Sequence, residues 1–174
     1  MQYDRVGAAL DFRLWSILDP NNAEAHNSLA WAMTSEPGQT TPFEIARAID
    51  SARLAIALHP EQWMYWNTLG VAAFRAKDWK LAAQSLEKSI ALNKPGGAID
   101  FFFLAMTRWH QGKPEEAKQY FEQGATYRQH NPGDRELDAF YNEARALLYP
   151  DLKSNAKTHQ ETQENAEPTE AAQS

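Results

Sequence analysis

The chain has 174 residues, of which 43% are hydrophobic and 11% aromatic, with a formal net charge of −6 and no cysteine. That is enough for one domain with a real core. The composition excludes disulfides, thiolate metal sites and cysteine nucleophiles, and the lack of a basic stripe argues against a nucleic-acid ligand.

Taken in chain order, residues 2–18 read as an amphipathic helix with Val6, Leu10, Leu14, Ile17 and Leu18 near one side, stopped at Leu18-Asp19-Pro20. Asn21 and Asn22 supply an N-cap for a helix over residues 22–34. The stretch SEPGQTTP, residues 35–42, has loop composition, and Pro42 suits the first turn of the helix that follows. That helix packs through Ala48, Ala52, Ala55 and Ile56 and ends at Leu58-His59-Pro60. Two more helices follow at residues 62–76 and 79–93, joined by a tight turn at Lys77 and Asp78. Lys94-Pro95-Gly96-Gly97 breaks the chain before a helix that carries Phe101, Leu104 and Ala105. Gly112-Lys113-Pro114 then turns into a helix with Ala117 and Phe121. Asp134 caps a final amphipathic helix over residues 134–148. Residues 151–174 hold one leucine, no aromatic residue and many Gln, Asn, Glu and Thr, a composition that predicts a disordered polar, acidic tail over residues 150–174.

These helices repeat. Trp66-x-x-Leu69-Gly70, followed by Ala82-x-x-x-Leu86 and then Pro95, resembles the tetratricopeptide repeat, a helical hairpin of about 34 residues. The small Gly70 and Ala82 let two helices approach where they cross, while Trp66, Leu69 and Leu86 fill the space around the crossing. His26-x-x-Leu29-Ala30 and Phe101-x-x-Leu104-Ala105 hold the matching places in the flanking repeats. Ala30 lies 40 residues before Gly70, so the loop at residues 35–42 is an insertion; Gly70 to Ala105 is 35 residues. The expected organisation is a tetratricopeptide domain over residues 1–149, with a half repeat at 2–20, repeats at 22–60, 62–96 and 97–132, and a capping helix at 134–148. The half repeat is either a chain beginning mid-repeat or a cap on the stack.

The resemblance implies an all-α, right-handed superhelix of helix hairpins. It also implies a non-enzymatic scaffold or adaptor that binds a peptide or protein segment in its concave groove, without cofactor. The combination of NSLAW, YWNTLGVAAFRAKDW and DFFFLAMTRW looks like bacterial modules appended to serine/threonine protein kinases. A regulatory C-terminal region of such a signalling enzyme is therefore the alternative. The first helix of each hairpin lines the groove in this family, which places Asn27, Trp31, Met64, Asn67, Val71, Phe74, Arg75, Ile99, Phe102, Met106, Trp109 and His110 there. For Phe74, Phe102, Met106 and Trp109 the competing reading is a core filled by the terminal helix. The family's carboxylate clamp has no match for its lysines, so an apolar partner segment is expected. A half repeat would also leave an apolar face that a second copy of the chain could cover, which makes self-association a further expectation.

Scattered histidines show no metal-ligand spacing, and Gly96-Gly97 alone makes no nucleotide site. The N-terminus lacks an apolar signal region, and no apolar run reaches the roughly 18–20 residues of a membrane span. A cytoplasmic setting without membrane contact is expected.

Overall fold

The computed structural model describes residues 5–35 and 40–150. The start of the first helix, most of the inserted loop and the tail predicted to be disordered lie outside the described residues. Eight helices are described: α1 (Arg5–Leu18), α2 (Ala23–Thr34), α3 (Pro42–Leu58), α4 (Trp63–Arg75), α5 (Trp79–Leu92), α6 (Ala98–His110), α7 (Pro114–His130) and α8 (Arg135–Leu148). The described chain is all-α. Helices pair as α2 with α3, α4 with α5 and α6 with α7, and each second helix also packs on the first helix of the next pair. The result is two layers, α2, α4, α6 and α8 inside and α1, α3, α5 and α7 outside.

Local chemistry sets the ends of these helices. Asn22 and Asp78 cap α2 and α5 through bonds of 3.0 Å to the backbone N–H of Ala25 and Leu81. At the head of α3, Thr41 and Glu44 form a reciprocal capping box, with Pro42 at the first turn. Lys77 adopts φ 60°, which closes the tight turn between α4 and α5.

Close packing follows from small residues at the crossings. Ala48, Ala52, Ala55, Ala82 and Ala117 are fully buried. A Cβ added at Gly70 would lie 2.6 Å from Leu86 Cγ, so only glycine permits this approach of α4 to α5. In the next pair Ala105 holds the place of Gly70, and the close approach is made from the second helix by Gly124, whose added Cβ would lie 2.6 Å from the Phe102 ring. Between repeats, Trp66 Nε1 donates to the carbonyl of Pro60 at 2.7 Å. His26, at the same place one repeat earlier, reaches Pro20 O at 2.9 Å through Nε2. A carbonyl only accepts, so Nε2 carries the proton in that pair. The exchange of Trp for His thus keeps the ring N–H that ties each pair to the turn before it. Phe101 has no such donor; its ring packs instead over Gly96, where an added Cβ would lie 2.9 Å away.

The first helix departs from expectation. Leu10, Leu14, Ile17 and Leu18, predicted on the packing side, are exposed, Leu18 at 74%. Phe12 packs against the core instead. An outer-layer helix has two faces, one for each inner helix beside it; α1 packs on α2, and the leucine stripe is its other face.

Candidate functional site

The concave surface is built from α2, α4 and α6, and most of it is covered by α8. Every fourth or third residue of α8 is apolar, and Leu137, Phe140, Ala144 and Leu148 are all buried. Phe140 meets the Trp31 ring edge-on at 5.9 Å and the Phe103 ring at 5.0 Å. Polar pairs lie along its flanks. Trp31 Nε1 donates to Glu136 at 3.0 Å, and Arg128 Nε donates to Asp138 at 2.5 Å. Arg75 forms a two-pronged pair with Glu143, with Nη2 to Oε2 at 2.9 Å, and donates through Nε to Thr34 O at 3.1 Å. Its guanidinium also lies over the Phe103 ring at 5.1 Å. One helix therefore ties together residues from α2, α4, α6 and α7.

This placement corrects part of the expected groove. Val71, Phe74, Phe102 and Met106 are buried in one core cluster with Phe103, Leu137, Phe140 and Ala144. Phe102 packs between Phe121, Tyr141 and Gly124. Val71, Phe102 and Met106 face the inner surface but are almost wholly buried there, so no incoming segment touches them in this arrangement. Phe74 packs against Trp79, Phe103 and His110 and keeps a small exposed edge. Arg75 is spent on Glu143. Trp109 is half-buried against the same cluster, and His110 is exposed, stacked on Trp79 at 4.3 Å and 8°. Partial desolvation and then the nearby Lys77 charge lower the His110 pKa from its ordinary value. His110 lies with Phe74, Arg75, Lys77 and Trp79 around an opening of about 420 Å³ at the α4–α5 turn.

A separate opening lies at the end of the concave face where the chain enters α4, α6 and α8. It is a cavity of about 340 Å³, near the lower end of the roughly 300–1,000 Å³ typical of ligand sites. Asn27, Trp31, Met64, Asn67 and Ile99 from the sequence reading line it. Trp63, Asp100, Tyr127, Asp134 and Leu137 also line it and were missed. Met64 is 38% exposed at its mouth.

The floor is polar and partly unsatisfied. Asn67 Nδ2 donates to Asp100 Oδ1 at 2.7 Å, and Asp100 Oδ2 accepts from the Gly97 backbone at 3.1 Å. Asp100 is fully buried. Burial raises its pKa above the ordinary carboxylate value despite these bonds, because desolvation penalises the charged form. Asn27 is 9% exposed, and its Oδ1 has no hydrogen-bond partner among the described residues. Glu136, beside the rim, also has a raised pKa, first through desolvation and then through the neighbouring Asp134 charge. Walls of Trp and Tyr over a carboxamide and carboxylate floor can bind a side chain.

No family model matches the chain, and neither does any curated protein sequence. Solved structures do. The chain is similar to the crystal structure of MamA, at 19% identity and a TM-score of 0.58 over 86% of this chain and 92% of that one. A second MamA structure gives 21% identity and a TM-score of 0.58 over 98% and 89%. TTC0263, a thermophilic TPR protein of Thermus thermophilus, gives 17% identity and a TM-score of 0.60 over 80% and 72%. No helix among the described residues is long and apolar enough to cross a membrane. In fold, the chain is a tetratricopeptide-repeat-like protein, an all-α superhelix of helix hairpins.

Proposed function

We propose that the chain is a non-enzymatic protein-interaction module that holds a segment of a partner protein at the open end of its concave face. The observation that carries this reading is the cavity itself, with its exposed Met64 and half-buried Trp63 over a buried, unpartnered Asn27 carbonyl. Large aromatic walls around a small opening favour one or two inserted side chains over a long groove-bound helix, since α8 already occupies the helix-sized part. Asn27 and Asn67 stand at corresponding places in successive repeats, so a segment laid across the mouth meets an amide from each. No basic side chain lines the site, which disfavours nucleic acid. The cysteine-free composition fits a cytoplasmic setting.

A displayed random peptide library tests this. Peptides selected on the wild type should lose about tenfold or more in affinity, roughly 1.4 kcal/mol, against a folded Trp63→Ala/Met64→Ala variant. Peptides that bind both proteins equally would move the binding surface away from the cavity.

A further inference from the structure

We propose that the anchor residue of the partner segment is a cationic side chain, an arginine, inserted between the aromatic walls toward Asn27 and Asp134. This inference rests on the interaction-module reading and names the chemistry of its ligand.

Four observations lead there. The lining carries two carboxylates, Asp100 and Asp134, and no basic side chain. Asp134 caps α8 through one oxygen, which accepts from Leu137 N–H at 3.0 Å, and its other oxygen takes no hydrogen bond among the described residues. Asn27 offers a buried, unpartnered acceptor in the same wall. Trp63 and Tyr127 supply ring surface on opposite elements, α4 and α7.

The sign of the field is set by weighing these charges. The N-termini of α4, α6 and α8 each bring roughly half a positive charge. The α4 helix has no acidic residue in its first turn, whereas Asp100 sits at the head of α6 and the exposed Asp134 at the head of α8. Two carboxylates outweigh the three partial charges. The cavity stays negative. An anion would meet two carboxylates with no cation to offset them. A purely aliphatic side chain would fill the walls and leave Asn27 Oδ1 unpartnered. Arginine satisfies both halves: its methylene stem lies on apolar wall, its planar face stacks on an indole or phenol ring, and its donors reach the amide and carboxylate acceptors. Lysine brings the charge without the planar face.

The test uses four capped peptides, Ala-Leu-X-Leu-Ala, with X as arginine, its neutral isostere citrulline, norleucine or glutamate. Titration into the full chain is followed by the indole N–H signals of Trp63 and Trp31 and the side-chain amide signals of Asn27 and Asn67. The arginine peptide should shift these signals saturably and bind about tenfold or more tightly than the citrulline peptide. That preference should shrink in Asp134→Asn, which keeps the helix cap, and in high salt. Norleucine or citrulline binding as tightly as arginine would overturn the cationic anchor while leaving the cavity as a binding site. Glutamate binding best would overturn it with the sign reversed. Failure of every peptide to move these signals would overturn the anchor and the binding site together.

Discussion

Replacing Phe140 by alanine removes the side chain that seats α8 on the concave face. Phe140 is 1% exposed and lies between Trp31 of α2 and Phe103 of α6. A buried Phe→Ala change costs about 3–5 kcal/mol, part of it lost transfer energy and part the cavity left behind. The two edge-to-face contacts add about 0.5–1.5 kcal/mol each when they are made. They place this site toward the upper end of that range, because Trp31 and Phe103 cannot both move into one gap. For a chain of this length, 1 kcal/mol shifts Tm by about 2–4 °C, so the expected loss is about 8–20 °C. Circular dichroism supplies the melting curve. Tryptophan fluorescence of the folded variant should also change, since Trp31 loses an aromatic neighbour. A Phe140→Ala protein that melts within about 2 °C of the wild type would refute the docking of α8 on which the rest depends.

Two further predictions use the polar side of the same helix and the cavity floor. Glu143→Ala leaves the Arg75 guanidinium, 9% exposed, without its counter-charge, and should cost about 3 kcal/mol; the double change Arg75→Met/Glu143→Leu should recover most of that loss in urea unfolding. For Asp100, the folded pKa is raised above the unfolded value of about 3.9. In the window between the two, the native state binds the proton more tightly than the unfolded state does. Stability therefore falls as pH rises through that window. Urea midpoints measured across it should show the wild type losing ground to Asp100→Asn as pH increases; parallel curves would contradict a desolvated carboxylate at that position.

Much of the fold was legible because its determinants are local. Gly70 and Leu86 announce a close helix crossing through residue size alone, and the structure shows why no larger residue fits at Gly70. The proline stops and the Asp78 cap act within a few residues of where they sit. Phe101, Phe102 and Phe103 mark the limit of that reasoning. Helical period shows that they point in different directions, and all three are buried because α6 has a neighbour on every side. Phe101 lies parallel to Tyr120, Phe102 meets Phe121 and Tyr141, and Phe103 meets Phe74 and Phe140. Period alone cannot say that a later helix returns to cover the inner face.

The cavity was half legible for the same reason. Asn27, Trp31, Met64 and Asn67 project from inner helices with a regular spacing. Tyr127 comes from an outer helix, Asp134 from the turn before α8, and Asp100 reads locally as a capping carboxylate. Only the tertiary arrangement brings them to one opening. The first helix shows the converse error: an apolar stripe identifies a face that is able to pack, while Phe12 on another face makes the contact with the array.

Whether α8 covers the concave face is decided by a nuclear Overhauser measurement between the Trp31 indole and the Phe140 ring in the isotope-labelled full chain. Their centroids are 5.9 Å apart in an edge-on arrangement, close enough for ring protons to cross-relax although the residues lie on the second and last helices. Cross-peaks between the two rings, with matching peaks from Phe140 to Phe103, are the predicted result. A spectrum in which Trp31 shows no contact with any residue of α8 would mean that the concave face is open, and the binding surface would then extend over Val71, Phe74, Phe102 and Met106.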